Sequence, residues 1–437
     1  MLTIYELAAL ILSLAALFGW INRRFFNLPH TIGLLIMALG TALLMAGVEA
    51  ATPGVDISAS LRIAVAQIDF HDAIMNGMLA FLLFAGALHV NLSQLAKQKW
   101  AIALLASVGV IISTLVIGLV LWAAAPLLGL RLPWLWALVF GALISPTDPV
   151  AVLGLLKTVK VPEALKSKIA GEALFNDGVA VVAFTVLVAA ASASSAHGAD
   201  PLSLPHVGWL FLLEGVGAIV FGLVMGWIAH QAMKAIDDHA VEILITLALC
   251  IATYVICMRL NLSGPIAVVV AGLLIGNHDV EEAMSEKVHR YLFSFWEVVD
   301  DVFNSVLFLL IGLEVLVLSF HLGNAALALV AIPAALLGRF VSLGIPIVGL
   351  SRLQTFDRGV IPTMTWGGLR GGVSVALALS LPDTEVKPLL LTCAYAVTVF
   401  SIVAQGLSFK QVVRRTIPQS VTAAAVAEAE GASATRH

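Results

Sequence analysis

Runs of about 20 mostly apolar residues, the length that carries a helix across a bilayer, recur along nearly the whole of this 437-residue chain. Thirteen can be marked, near 5–22, 28–47, 73–91, 100–128, 133–156, 170–192, 207–232, 240–259, 262–276, 292–319, 325–350, 359–381 and 388–408, the ninth being the shortest. They are numbered here as spans 1 to 13. The expected fold class is therefore an all-α integral membrane protein of about 13 transmembrane helices. Composition agrees: 60% of residues are apolar and 11% charged, with a mean hydropathy of +1.03, against about half and about a quarter in soluble domains. The formal net charge of −4 is small and points to no nucleic-acid partner. Lipid is the expected surrounding.

The cysteines, Cys250, Cys257 and Cys393, lie in apolar stretches without C-x-x-C or zinc-type spacing. They are expected to act as small buried apolar side chains. The eleven histidines are scattered and receive no role. Arg23 and Arg24 follow the first apolar run rather than precede it, and no A-x-A site appears. The first span is thus expected to be retained rather than cleaved as a signal peptide.

With the C-terminus placed inside, seventeen of the 23 Lys and Arg fall in inner segments and four (Arg62, Arg131, Arg259 and Lys387) in outer loops. Arg339 and Arg370 lie within spans. This bias predicts an outer N-terminus and a cytoplasmic C-terminus in the cell (inner) membrane. Residues 1–410 are expected to form one transmembrane domain and 411–437 a short cytoplasmic tail. The Ala-, Glu-, Ser- and Gly-rich end from about Val421 is expected to be disordered. The small polar loop near 194–205 is expected outside.

Charges inside spans are costly, and they mark candidate functional sites. Span 5 is interrupted by Ile144-Ser145-Pro146-Thr147-Asp148-Pro149-Val150. Neither proline can donate a backbone hydrogen bond, and the residue before each is pushed away from helical angles. The spacing predicts a helix unwound at mid-membrane, with free carbonyls and the Asp148 carboxylate, a state tolerated only where it lines a cavity or is buried in protein. Span 6 opens with Gly171-Glu172-Ala173-Leu174-Phe175-Asn176-Asp177-Gly178. Glu172 and Asn176 stack at i, i+4, as do Ala173 and Asp177. The segment therefore offers two carboxylates and an amide to the bundle interior, hard oxygen ligands that suit small hard cations.

Span 12 carries Trp366-Gly367-Gly368-Leu369-Arg370-Gly371-Gly372, four glycines around one arginine, and is expected to be loosened as well. Spans 5 and 12 are seven apart and so run in opposite directions. Broken helices in corresponding places of two inverted halves point to a transporter's central site. Arg339 in span 11 needs an acidic partner, for which Glu172, Asp148 and Asp177 are candidates. Glu214, Glu242, Glu297, Asp300, Asp301 and Glu314 also lie in or near spans and are candidates for lining a funnel.

Taken together, these segments resemble the cation:proton antiporter family that includes the NhaP-type sodium/proton exchangers. Phe84 to Leu88 resembles its F-x-G-A-L segment, Ser145 to Val152 its T-D-P-V-A-V motif, Gly171 to Asp177 its G-E-x-x-x-N-D motif and Gly367 to Gly372 its G-G-L-R-G-A segment; Phe308 to Glu314 also looks familial. The resemblance implies an NhaA-like antiporter fold of thirteen helices, with two inverted repeats, crossed discontinuous helices and a homodimer. It implies that Asp177 exchanges the proton, with Asp148 and the Thr147 carbonyl as further sodium ligands. Glu172 and Asn176 would be structural, Glu172 paired to Arg339 with Arg370 nearby, and the N-D form goes with electroneutral exchange. Ala173 departs from the serine of many relatives, so that position of the possible ligand shell lacks a hydroxyl.

The function so implied is exchange of Na+ or Li+ for protons, serving pH homeostasis, with the two species competing for Asp177 and Asp148. A carboxylate pair in a partly dry cavity holds either a proton or a cation, because burial and like charge favour protonation. No cofactor or enzymatic step is expected. The same architecture could exchange K+. A channel filter such as T-V-G-Y-G is absent. An intramembrane aspartyl protease would also place two aspartates on neighbouring helices, but its G-x-G-D and Y-D motifs are missing.

Overall fold

The computed structural model describes residues 3–52, 58–156, 163–195, 204–282, 285–316, 322–351 and 359–417. Lys157, Lys160, Arg352, Arg358, most of the 194–205 loop and the tail from 418 lie outside the described residues. Among the described residues the regular structure is helical, with no strand. Each apolar run read from the sequence falls on helix, and nine described helices are by themselves long and apolar enough to cross a membrane.

Helices run past the apolar windows. Span 6 is Glu163–Ser195 and span 10 is Glu286–Glu314. Lys166 and Lys168, read as loop residues, therefore sit on helix. Hydropathy marks the part of a helix that faces lipid, whereas backbone hydrogen bonding continues into the polar margin. Span 5 is divided into Trp134–Ile144 and Pro149–Leu156, and span 12 into Val360–Trp366 and Gly372–Leu379. Span 11, Leu322–Leu350, contains Pro333 and Pro346 and yet stays continuous.

The packing repeats with a period of seven spans. Span 3 packs on span 9, and span 10 packs on span 2; span 4 packs on span 11; span 6 packs on span 4, and span 13 on span 11. Exchanging each span for the one seven away turns 3–9 into 10–2 and 6–4 into 13–11 and leaves 4–11 unchanged, which is the signature of two halves related by inversion. Small residues let neighbouring helices approach closely. A Cβ on Gly141 would strike the Thr114 backbone of span 4, and one on Gly276 would strike that of Leu88 in span 3. The three cysteines are buried and free.

Candidate functional site

The two interruptions cross. The Asp148 backbone N–H donates to the Leu369 carbonyl at 2.8 Å. Arg370 answers from the other strand, its Nη1 donating to the carbonyls of Ser145 and of Pro146, the latter at 2.9 Å. Backbone groups freed by the break in span 5 thus find partners on the break in span 12, which is how unwound chain survives away from water.

Local chemistry prepares both breaks. Asp148 stands just before Pro149, and its Oδ1 accepts from the Ala151 N–H at 3.1 Å. An acidic N-cap followed by proline in the first helical position starts a helix, so Thr147-Asp148-Pro149 begins the second half-helix as much as it ends the first. In span 12 the glycines make room for neighbours. A Cβ on Gly368 would lie 2.7 Å from Arg339 Nε, and one on Gly371 would overlap the Asp148 carboxylate. A π-helical turn in span 13, Ser401–Gln405, faces this break. Ser401 Oγ accepts from the Arg370 N–H at 2.7 Å, and Gln405 Nε2 donates to the Trp366 carbonyl at 3.0 Å. Ser401 and Gln405 escaped the sequence reading; polar residues inside apolar spans were the available signal.

Span 6 supplies the rest. Arg339 grips Glu172 with two parallel bonds, Nη1 to Oε1 and Nη2 to Oε2, each 2.6 Å. Of its three candidate partners, Glu172 is the one it meets in this fork. Asn176 Nδ2 donates to Glu172 Oε1 at 2.9 Å and to Thr147 Oγ1 at 2.8 Å, tying span 6 to the break in span 5. Arg339, Arg370, Glu172, Asn176 and Thr147 are all buried.

Asp148, Asp177 and Thr147 line one cavity of about 30 Å³, whose remaining wall comes from spans 3, 10 and 12 and is mostly apolar. Asp177 is 2% exposed. That space admits a guest the size of a water molecule or a bare monovalent cation. Ala173, one turn before Asp177, is buried but lies off this wall. A second cavity of about 540 Å³ is lined by His30, His89, Lys166, Glu297, Asp300 and Asp301 among others. Asn304 belongs to the walls of both. Glu242 and Glu314 are buried elsewhere, and Glu214 is half-buried on span 7.

Residues 11–415 match the family described as sodium/hydrogen exchanger, transmembrane. The chain belongs to this family. Among its relatives, the Na(+)/H(+) antiporter NhaP of Pseudomonas aeruginosa is 43% identical over 415 residues, covering 94% of this chain and 96% of that protein. The Na(+)/H(+) antiporter NhaH of Halobacillus aidingensis is 34% identical over 355 residues, 79% of this chain and 83% of its own. In fold, this exchanger-family chain is similar to the sodium proton antiporter MjNhaP1 from Methanocaldococcus jannaschii, at a TM-score of 0.71 and 18% identity over 93% of this chain and 97% of that one.

Proposed function

We propose that the protein is a secondary transporter exchanging Na+ or Li+ for protons across the cell membrane, the two competing for Asp177 and Asp148. The observation that carries the reading is the placing of two carboxylates on one small cavity, at the crossing of two broken helices. In so dry a place two neighbouring carboxylates are costly to leave both charged and empty, so the site favours a proton or a cation over neither. Asp177 exchanges the proton, Asp148 shares the cation, and the Thr147 carbonyl, which Arg370 leaves out while bonding those of Ser145 and Pro146, is a further ligand. Glu172, Asn176, Arg339 and Arg370 hold the frame. The names of the two relatives above, both Na(+)/H(+) antiporters, support the same cargo.

The Lys and Arg bias supports an outer N-terminus and a cytoplasmic C-terminus. The cavity of about 540 Å³ then opens at the cytoplasmic ends of spans 2, 3, 6 and 10, an inward-facing state with an acidic approach. A peptide substrate does not fit a cavity of about 30 Å³, which disfavours proteolysis. The protein works as a homodimer without a resident cofactor, one cation for one proton.

The test is proton flux in everted vesicles on addition of Na+, Li+ or K+. Sodium and lithium are expected to collapse the pH gradient in wild type but not in Asp177→Asn, with the variant inserting at normal levels. Exchange by Asp177→Asn near the wild-type rate refutes the reading, and a response to K+ alone reassigns the cargo.

A further inference from the structure

Two oxygens on the wall of the carboxylate cavity have no partner among the described residues. Asn304 in span 10 and Ser374 in the second half of span 12 both line it, 2% and 1% exposed, and Asn304 Oδ1 and Ser374 Oγ are buried without a hydrogen bond. For Asn304 the flip of the amide follows from its neighbours. Nδ2 donates to the Asp300 carbonyl at 2.8 Å and to Asp300 Oδ1 at 3.0 Å. Both are acceptors, so the other end of the amide is the oxygen. Ser374 lies in the first turn of Gly372–Leu379, three residues after Gly371, which accommodates the Asp148 carboxylate, and its hydroxyl makes no bond to the preceding turn.

A buried acceptor left without a donor is expensive, and two of them on the wall of one small cavity point to an occupant that oxygens attract. Resting on the assignment of Asp148 and Asp177 as the exchange site, we infer that Asn304 Oδ1 and Ser374 Oγ are direct ligands of the transported cation. The shell then draws on both inverted halves: carboxylates from spans 5 and 6, and neutral oxygens from spans 10 and 12. Hard oxygen donors of this kind suit Na+ and Li+. Neutral ligands also separate the two cargoes. They coordinate a cation but add no site for the exchanged proton, so their loss weakens cation binding without removing the carboxylate chemistry. Asn304 lines both cavities and is therefore the first of these ligands a cation meets on its way in from the larger one.

The experiment measures half-saturating Na+ and Li+ at fixed pH in proteoliposomes for Ser374→Ala and Asn304→Ala, beside wild type and Asp177→Asn. Each alanine variant is expected to raise the half-saturating concentration by about fivefold, the worth of one neutral ligand, with the maximal rate largely kept. The sodium-dependent rise in melting temperature in detergent is expected to weaken in step, a binding readout that needs no transport. Ser374→Ala removes a single oxygen, so it stands in should Asn304→Ala fold poorly. Unchanged half-saturation for both ions, or a fall in maximal rate alone, overturns the inference and leaves the two oxygens to an ordered water. Should Asp177→Asn still exchange ions, the exchange-site reading itself fails; an inactive Asp177→Asn beside unshifted alanine variants sinks only the ligand assignment.

Discussion

Glutamine in place of Glu172 removes one charge and keeps the shape of the side chain. In the wild type both Nη atoms of Arg339 reach Glu172 at 2.6 Å, and Asn176 adds a third bond to the same carboxylate. A glutamine offers one oxygen to those three donors and sets its own NH2 against an Arg339 nitrogen. The guanidinium stays behind on a residue only 6% exposed, its Nε already without a partner among the described residues, and buried Arg370 shares with it the wall of a separate cavity of about 10 Å³. Breaking a buried pair from one side costs about 3–5 kcal/mol, chiefly because the surviving charge is uncompensated. Glu172→Gln is therefore expected to lose about that much unfolding free energy, as is Arg339→Gln. The double variant removes both charges and is expected to be less damaged than the sum of the two, a positive coupling in a double-mutant cycle. The measurement is unfolding in mixed detergent micelles followed by intrinsic tryptophan fluorescence, with thermal melting as a check. A Glu172→Gln protein within about 1 kcal/mol of wild type, or a double variant equal to the sum of the singles, would refute a water-free pair whose loss is governed by the stranded charge.

Gly371→Ala puts a methyl group into the space of the Asp148 carboxylate and is expected to abolish or severely slow exchange, while Gly40→Ala, whose added methyl would meet nothing within 4 Å, leaves flux and melting temperature near wild type. Both are read in the same vesicle assay, and normal flux in Gly371→Ala places the carboxylate elsewhere. Ala173→Ser adds a hydroxyl beside Asp177 but off the cavity wall, where it can bond back to the preceding turn of its helix. Its half-saturating Na+ is expected to match wild type, and a clear tightening instead puts residue 173 in the ligand shell.

Much of this protein follows from the chain alone. Apolar runs of bilayer length compel helices, because lipid offers backbone groups no other partner. Pro146, Asp148 and Pro149 inside such a run, and four glycines around Arg370, mark the two interruptions, since an intramembrane charge on weakened helix has no cheap structural explanation. The motifs carry the family for the same reason: they are the residues that such a crossing requires. Proline by itself did not decide the matter, for Pro333 and Pro346 leave span 11 unbroken. Span 5 opens because Leu369 and Arg370, more than two hundred residues away, receive its freed backbone groups, and that exchange exists only once spans 5 and 12 cross. The partner of Arg339 was equally out of reach of local pattern, because three acids are compatible with the sequence and only packing of span 11 against the bundle selects Glu172. Asn304 and Ser374 read as ordinary polar residues on their own helices. What sets them apart is an unpaired oxygen on a shared cavity, and a cavity belongs to no single segment of sequence.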